Sequence, residues 1–261
     1  MVSTEYWPGS PNWIDLGSPD VAESALFYGA VFGWSFDPVG GPEAGGYGYF
    51  RLAGRTVAAA GPLTEVAALP AWTVYFRTAD AADAAAAAER AGGTVRVPAS
   101  AVPGQGRFAQ LTDPAGGRFA VWEPGGTVGL DVVGGVGALC WAELHTPDAA
   151  GALRFYQGLF DWRTRDSGVP DAAYTVLRTA EGADGFAASF GGVAGVHPRV
   201  DVGWLPHFAV ADALLTTDLV RRSGGSVLVP PEPVPTVGRI AVLADPFGAQ
   251  FALLEPEPRR G

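Results

Sequence analysis

Ser18-Pro-Asp-Val-Ala-Glu-Ser-Ala-Leu-Phe-Tyr-Gly-Ala-Val-Phe-Gly-Trp34 returns without a gap as Thr146-Pro-Asp-Ala-Ala-Gly-Ala-Leu-Arg-Phe-Tyr-Gln-Gly-Leu-Phe-Asp-Trp162. Each copy predicts a helix. Ser18 or Thr146 is placed to cap the first free backbone N–H groups, and Pro19 or Pro147 suits the first helical position. Asp20 or Asp148 then sets negative charge near the positive end of the helix dipole. Each copy follows a short alternating segment, Asn12–Leu16 or Cys140–Leu144, which reads as a strand. The building unit is therefore a strand and a capped helix with a Phe-Tyr pair inside it, Phe27-Tyr28 in one copy and Phe155-Tyr156 in the other.

A repeat at this spacing divides the 261 residues into two domains. With 48% of the residues apolar, each half has enough material for a core. A formal charge of −10 argues against nucleic acid and anionic membranes as partners, since both need basic surfaces. A single cysteine, Cys140, excludes an internal disulfide and fits a reducing compartment. The N-terminus shows no basic region leading into an apolar run, and no apolar run approaches the length of a membrane span. The expectation is a soluble cytoplasmic protein, monomer or homodimer. All its basic residues are Arg, none Lys, which reflects codon usage rather than function.

Outward from the repeat, Tyr47–Leu52 and Arg55–Ala60 flank Ala53-Gly54 as a hairpin. Trp72–Arg77 alternates as a strand, and the Ala-rich run Asp80–Ala91 predicts a helix stopped by Gly92-Gly93. Arg107–Thr112 and Arg118–Glu123 face each other across the turn that begins Asp113-Pro114. Gly125 to Gly137 reads as a linker. The second half repeats the plan. Tyr174–Thr179 and Phe186–Phe190 form a hairpin, Trp204–Val210 a strand, and Asp212–Arg222 a helix. Arg239–Ala244 and Gln250–Glu255 flank the turn at Asp245-Pro246. The expected fold is α+β, four βαβββ modules in two tandem domains. These are 8–126, with modules about 11–65 and 70–125, and 137–257, with modules about 138–195 and 203–256.

On these residues the chain resembles the vicinal oxygen chelate superfamily, which includes glyoxalase I, bleomycin-resistance proteins and extradiol dioxygenases. Within it, the opening Pro11-Asn-Trp-Ile-Asp-Leu16 and the helix with Ala152-x-x-Phe155-Tyr156 are similar to two-domain glyoxalase-like bacterial proteins. The resemblance implies that each domain curls two four-stranded units into a cup with helices on the convex side. Strand alternation then sorts the faces. Ile14, Leu16, Val74, Phe76, Phe119 and Val121 pack under helices, whereas Trp13, Asp15, Thr73, Tyr75, Arg77, Arg118, Ala120 and Trp122 line the first cup. In the second half Trp141, Glu143, His145, Leu205, His207, Gln250, Ala252 and Leu254 line the cup.

Metal-dependent members of the superfamily place His or Glu on the first strand of each module and Glu near its last. Counting from the Phe-Tyr pair, the first-strand positions fall on Trp13 and Trp141, and the second-module positions near Thr73 and Leu205. Tyr75 and His207 stand within a residue or two of those. The last-strand positions fall on Ala120 and Ala252, with Ala59 and Ala188 in the first hairpins. Indole and methyl groups do not ligate metals, so the expectation is no metal ligands and no cofactor.

The expected ligand-binding residues are Trp13, Asp15, Tyr75, Arg77, Trp122, Trp141, Glu143, His145 and His207. The tryptophans serve either as stacking walls or as core plugs. Glu143, His207 and Asp15 are the candidates for catalysis, because a carboxylate or imidazole in an apolar cup can move protons. Their structural alternative is an ordinary satisfied polar group. His197, before Pro198, reads as loop, and Cys140 as a structural thiol. The leading expectation is a metal-independent protein binding a hydrophobic, by expectation aromatic, natural product or drug, for sequestration or as an accessory in its biosynthesis. The rivals are a metal-free enzyme doing acid–base chemistry on such a compound and a protein-interaction module with filled cups.

Overall fold

The structure is a computed structural model and describes residues 1–40, 45–63, 65, 68–167, 174–182 and 188–257. The first half runs β1 (Pro11–Ser18), α1 (Val21–Phe32), β2 (Ser35–Pro38), β3 (Gly48–Leu52) and β4 (Arg55–Pro62). It continues with β5 (Ala71–Arg77), α2 (Ala81–Arg90), β6 (Thr94–Val102), β7 (Gly106–Thr112) and β8 (Arg118–Pro124). The second half repeats this as β9 (Leu139–His145), α3 (Ala149–Phe160), β10 (Arg163–Asp166), β11 (Thr175–Arg178) and β12 (Ser189–Ala194). It ends with β13 (Gly203–Ala209), α4 (Ala213–Arg222), β14 (Ser226–Val234), β15 (Gly238–Ala244) and β16 (Gln250–Pro256). The two sheets have the same order, β2-β3-β4-β1-β5-β8-β7-β6 and β10-β11-β12-β9-β13-β16-β15-β14. Four βαβββ modules are thus present, in an α+β fold.

The helix starts differ from expectation by two residues. Asp20 and Asp148, not Ser18 and Thr146, are the N-caps, accepting from the backbone N–H of Glu23 at 3.0 Å and of Gly151 at 2.8 Å. A carboxylate reaches the third helical N–H as well as a hydroxyl does and adds charge at the dipole. Ser18 and Thr146 act two residues earlier, each accepting from the N–H of its capping Asp. Strands β6 and β14 carry prolines that hide them in the sequence. Both lie at a sheet end, where a missing N–H costs little. The turn at Ala53-Gly54 has φ of 50° and 77°, the left-handed pair that a two-residue hairpin needs. Part of the second expected hairpin, Phe186 and Ala187, lies outside the described residues.

The stretch from Gly125 to Gly137, expected as a linker, is tied by hydrogen bonds to β1 and β4. Leu130 N–H donates to the Asn12 carbonyl at 2.9 Å, and the Asn12 side chain donates to the Val128 carbonyl. Asp131 N–H donates to the Thr56 carbonyl, and its carboxylate accepts from Thr56 N–H.

By contacts the chain forms two compact units that cut across the sequence halves. One comprises Met1–Trp13, Thr73–Leu130 and Trp141–Leu205; the other Ile14–Trp72, Asp131–Cys140 and Pro206–Gly261. In the first unit α2 packs with α3, and Tyr156 is buried among Phe119, Trp162 and Trp204 at ring distances of 5.2–5.4 Å. Its hydroxyl accepts from the Trp204 indole at 2.9 Å and donates to Asp113 at 3.0 Å. In the second unit α1 packs with α4, and Tyr28 is buried among Phe50, Trp34, Trp72 and Phe251. Its hydroxyl accepts from Trp72 at 3.0 Å and donates to Asp245 at 3.3 Å. Each Asp also closes its own Asp-Pro turn, accepting two backbone N–H groups through Oδ1. The Phe-Tyr pair and the repeated Asp-Pro turns are therefore two ends of one structural clamp.

Candidate functional site

On β9 the alternation works as expected: Ala142 and Leu144 are fully buried in the core, and Trp141, Glu143 and His145 share the other face. These three are joined by a residue that the expected set omits, Tyr174, just before β11. The Trp141 indole N–H donates to the Tyr174 hydroxyl at 2.8 Å. That hydroxyl is hydrogen-bonded to the Glu143 carboxylate. On its other side Glu143 Oε1 stands 2.8 Å from His145 Nε2, an approach at ion-pair distance whose angle falls short of a hydrogen bond. Among the described residues, His145 Nδ1 is buried with no hydrogen-bond partner. Burial first, and the Glu143 charge second, hold the Tyr174 phenol well above its usual pKa, so it stays protonated and can donate.

Gly192 makes this row possible. It pairs with Glu143 across the parallel ladder β9–β12. A Cβ there would sit 2.3 Å from Cζ and the hydroxyl of Tyr174, so glycine leaves the slot in which the phenol lies. The repeat held the signal for Tyr174, since Tyr47 stands just before β3 as Tyr174 does before β11, and Tyr47 likewise covers a glycine, Gly61. The register also moves one expected ligand-equivalent position. Asp15 pairs with Ala59 and Glu143 with Gly192, so the counterpart of Ala59 is Gly192 and not Ala188.

The first half places its expected residues on matching strands. Asp15 is half-buried on β1, beside Trp13, which is 7% exposed. Tyr75 pairs with Ala120, and Arg77 with Trp122, across the parallel ladder β5–β8. The Trp122 indole is fixed by donating to the Thr127 carbonyl at 2.8 Å. His207 is buried and pairs with Ala252 across β13–β16. The residues facing Ala120 and Ala252 are thus Tyr75 and His207, one strand step beyond the expected Thr73 and Leu205. His197 lies in an exposed turn, where its Nδ1 accepts from Arg199 N–H. Cys140 is buried, its Sγ 3.3 Å from the His207 carbonyl, and burial pushes its thiol up to about 12, far from a reactive thiolate.

Comparison with known proteins places the fold. Residues 138–253 match the family model described as Glyoxalase/Bleomycin resistance protein/Dioxygenase superfamily, and residues 13–122 match that of a glyoxalase-like domain. The chain is 38% identical to the anthracycline biosynthesis protein DnrV of Streptomyces peucetius, over 97% of this chain and 95% of that one. It is 39% identical, with the same coverage, to the anthracycline biosynthesis protein DauV of Streptomyces sp. strain C5. The chain belongs to the glyoxalase/bleomycin resistance protein/dioxygenase superfamily. In fold it is similar to the Mn(II)-bound glyoxalase from Novosphingobium aromaticivorans, with a TM-score of 0.62 and 16% identity over 95% of this chain and 83% of that one. It consists of two tandem glyoxalase-like domains of the vicinal oxygen chelate superfamily.

Among the described residues, the side chains at the expected ligand positions do not make a donor set for a metal. Among the described residues no group of three or more His, Cys, Asp or Glu stands together to hold an ion. Trp13, Trp141, Ala120 and Ala252 offer no donor atom to a metal, and Tyr75 and His207 stand opposite those two alanines without a His, Cys, Asp or Glu cluster around them among the described residues. In the second domain Glu143 and His145 are already set against each other.

Proposed function

We propose that the second domain binds a flat aromatic small molecule against Trp141 without a metal, and that the chain is an accessory in natural-product metabolism. The observation that carries this is the row Trp141–Tyr174–Glu143–His145, in which the indole is locked in place by its own hydrogen bond. A pre-ordered indole gives stacking area with little entropy to lose on binding. The names of DnrV and DauV support the class of compound, polycyclic and aromatic.

The test is titration of the protein with hydroxyanthraquinones, read by quenching of tryptophan emission. Trp141→Ala should weaken binding by about 1–3 kcal/mol while the fold persists. Glu143→Gln should change affinity little. Equal affinity of wild type and Trp141→Ala would overturn the proposal.

One observation favours a second reading, proton transfer. His145 keeps Nδ1 buried and without a partner while Nε2 faces a carboxylate. In that arrangement Nδ1 takes a proton from the bound compound and Glu143 stabilises the imidazolium that results. Turnover would then fall by about 10²–10⁴ in Glu143→Gln with binding retained.

A further inference from the structure

The first domain carries a feature that the second lacks. On β5, β8 and β7 the apolar positions Phe76, Phe119 and Leu111 are fully buried, and the rings of the first two pack on α3 residues Phe160 and Phe155. The opposite face is formed by the alternate residues. There Tyr75 pairs with Ala120, which pairs with Gln110, and in the next row Arg77 pairs with Trp122, which pairs with Phe108. Arg96, from β6, donates to Gln110 Oε1 at 2.8 Å and so belongs to the same face.

Arg77 is the unusual member. Its backbone is held on both sides, donating to the Ser10 carbonyl and accepting from Gly9 N–H, each at 2.8 Å. Its side chain is half-buried, yet among the described residues Nε has no hydrogen-bond partner. A guanidinium cannot shed its proton, so a buried Nε–H without a partner is met by an acceptor that a ligand can bring. No Asp or Glu stands at the alternate positions of this face on the three strands. On this face the carboxylate nearest in the sheet order is Asp15 on β1, the strand beside β5, so acid groups do not crowd the strands that carry Arg77. The equivalent positions of the second half, His207, Ala209, Ala252 and Leu254, contain no guanidinium. Tyr75 and Trp122, 5% and 8% exposed, stand beside Arg77 in the register, and Ala120 between Tyr75 and Gln110 is the smallest side chain of the row.

We propose that this face of the first domain is a binding site for an aromatic carboxylate, with Arg77 as its counter-ion and Tyr75 and Trp122 as its walls. The fork of a guanidinium matches the two oxygens of a carboxylate, and the hydrogen bonds are charge-assisted. The site is independent of the Trp141 row and stands or falls separately from it.

The test compares 9-anthracenecarboxylate with the neutral 9-anthracenemethanol, followed by fluorescence anisotropy of the anthracene. Wild type should bind the acid saturably and more tightly than the alcohol. Arg77→Gln should weaken the acid by about tenfold or more and leave the alcohol within about twofold. Arg77→Lys, which keeps the charge and loses the fork, should give a smaller loss. Circular dichroism melts verify that both variants fold, and should Arg77→Gln fail to fold, the Arg77→Lys comparison decides. Equal affinity for acid and alcohol, an unchanged affinity in Arg77→Gln, or no saturable binding of the acid would each overturn the proposal. Loss of acid binding in Trp141→Ala but not in Arg77→Gln would place the ligand in the second domain and overturn it too.

Discussion

At the scale of single residues, the decisive side chain is Tyr174. It holds Trp141 and Glu143 at once, so its removal has two costs. Tyr174→Phe keeps the ring but leaves a buried indole N–H and a carboxylate each short of a partner. The loss should be about 1–3 kcal/mol in urea unfolding, together with weaker ligand binding. Gly192→Ala should displace the same phenol from the other side, because its methyl would occupy the space of the hydroxyl. The two substitutions should therefore give similar binding defects, and their combination little more than either alone. A double variant whose binding defect is the sum of the two would show that they act through different groups. Tyr174 escaped the sequence because a hydrogen bond between β9 and the start of β11 leaves no periodic trace. Glu143 and His145 were legible, being on one strand at a spacing of two, which fixes a common face.

At the scale of elements, the clamp between helix and turn dominates. Tyr28→Phe strands Asp245 and the Trp72 indole; Tyr156→Phe strands Asp113 and the Trp204 indole. Each should cost about 1–3 kcal/mol of unfolding free energy, and the two should add, since they share no partner. Asp245 also sets a pH dependence. Burial raises its pKa in the folded state, so the folded protein holds this proton more tightly than the unfolded chain. Its contribution to stability is therefore greatest below the unfolded value of about 3.9 and is lost as pH rises through the folded value. Urea unfolding between pH 4 and 7 should show wild type losing stability relative to Asp245→Asn as pH rises, and a constant difference would refute this. The modules, the helices and the Asp-Pro turns were readable because the chain writes each twice. The capping residue was misplaced by two positions because Ser-Pro-Asp offers two acceptors, and only backbone geometry selects the carboxylate. The edge strands β6 and β14 were obscured by proline, which a sheet end tolerates.

At the scale of the molecule, no helix among the described residues is long and apolar enough to cross a membrane. Purified protein should carry no stoichiometric zinc, iron, nickel or manganese, and a chelator should leave the melting temperature unchanged. Elemental analysis returning about one equivalent per domain would refute the metal-independent proposal. The compact units make a stronger demand. In one, the rings of Tyr28 and Phe27 meet Phe251, which the chain supplies more than 200 residues later; in the other, Phe119 meets Phe155 and Tyr156. Residues 1–130 produced alone should therefore fail to give a cooperative monomer, and mixing them with residues 131–261 should restore a single unfolding transition. Each aromatic helix thus meets rings that the other half of the chain supplies, so the sequence that builds one core is written in two distant places, and neither half of the chain holds a complete core by itself.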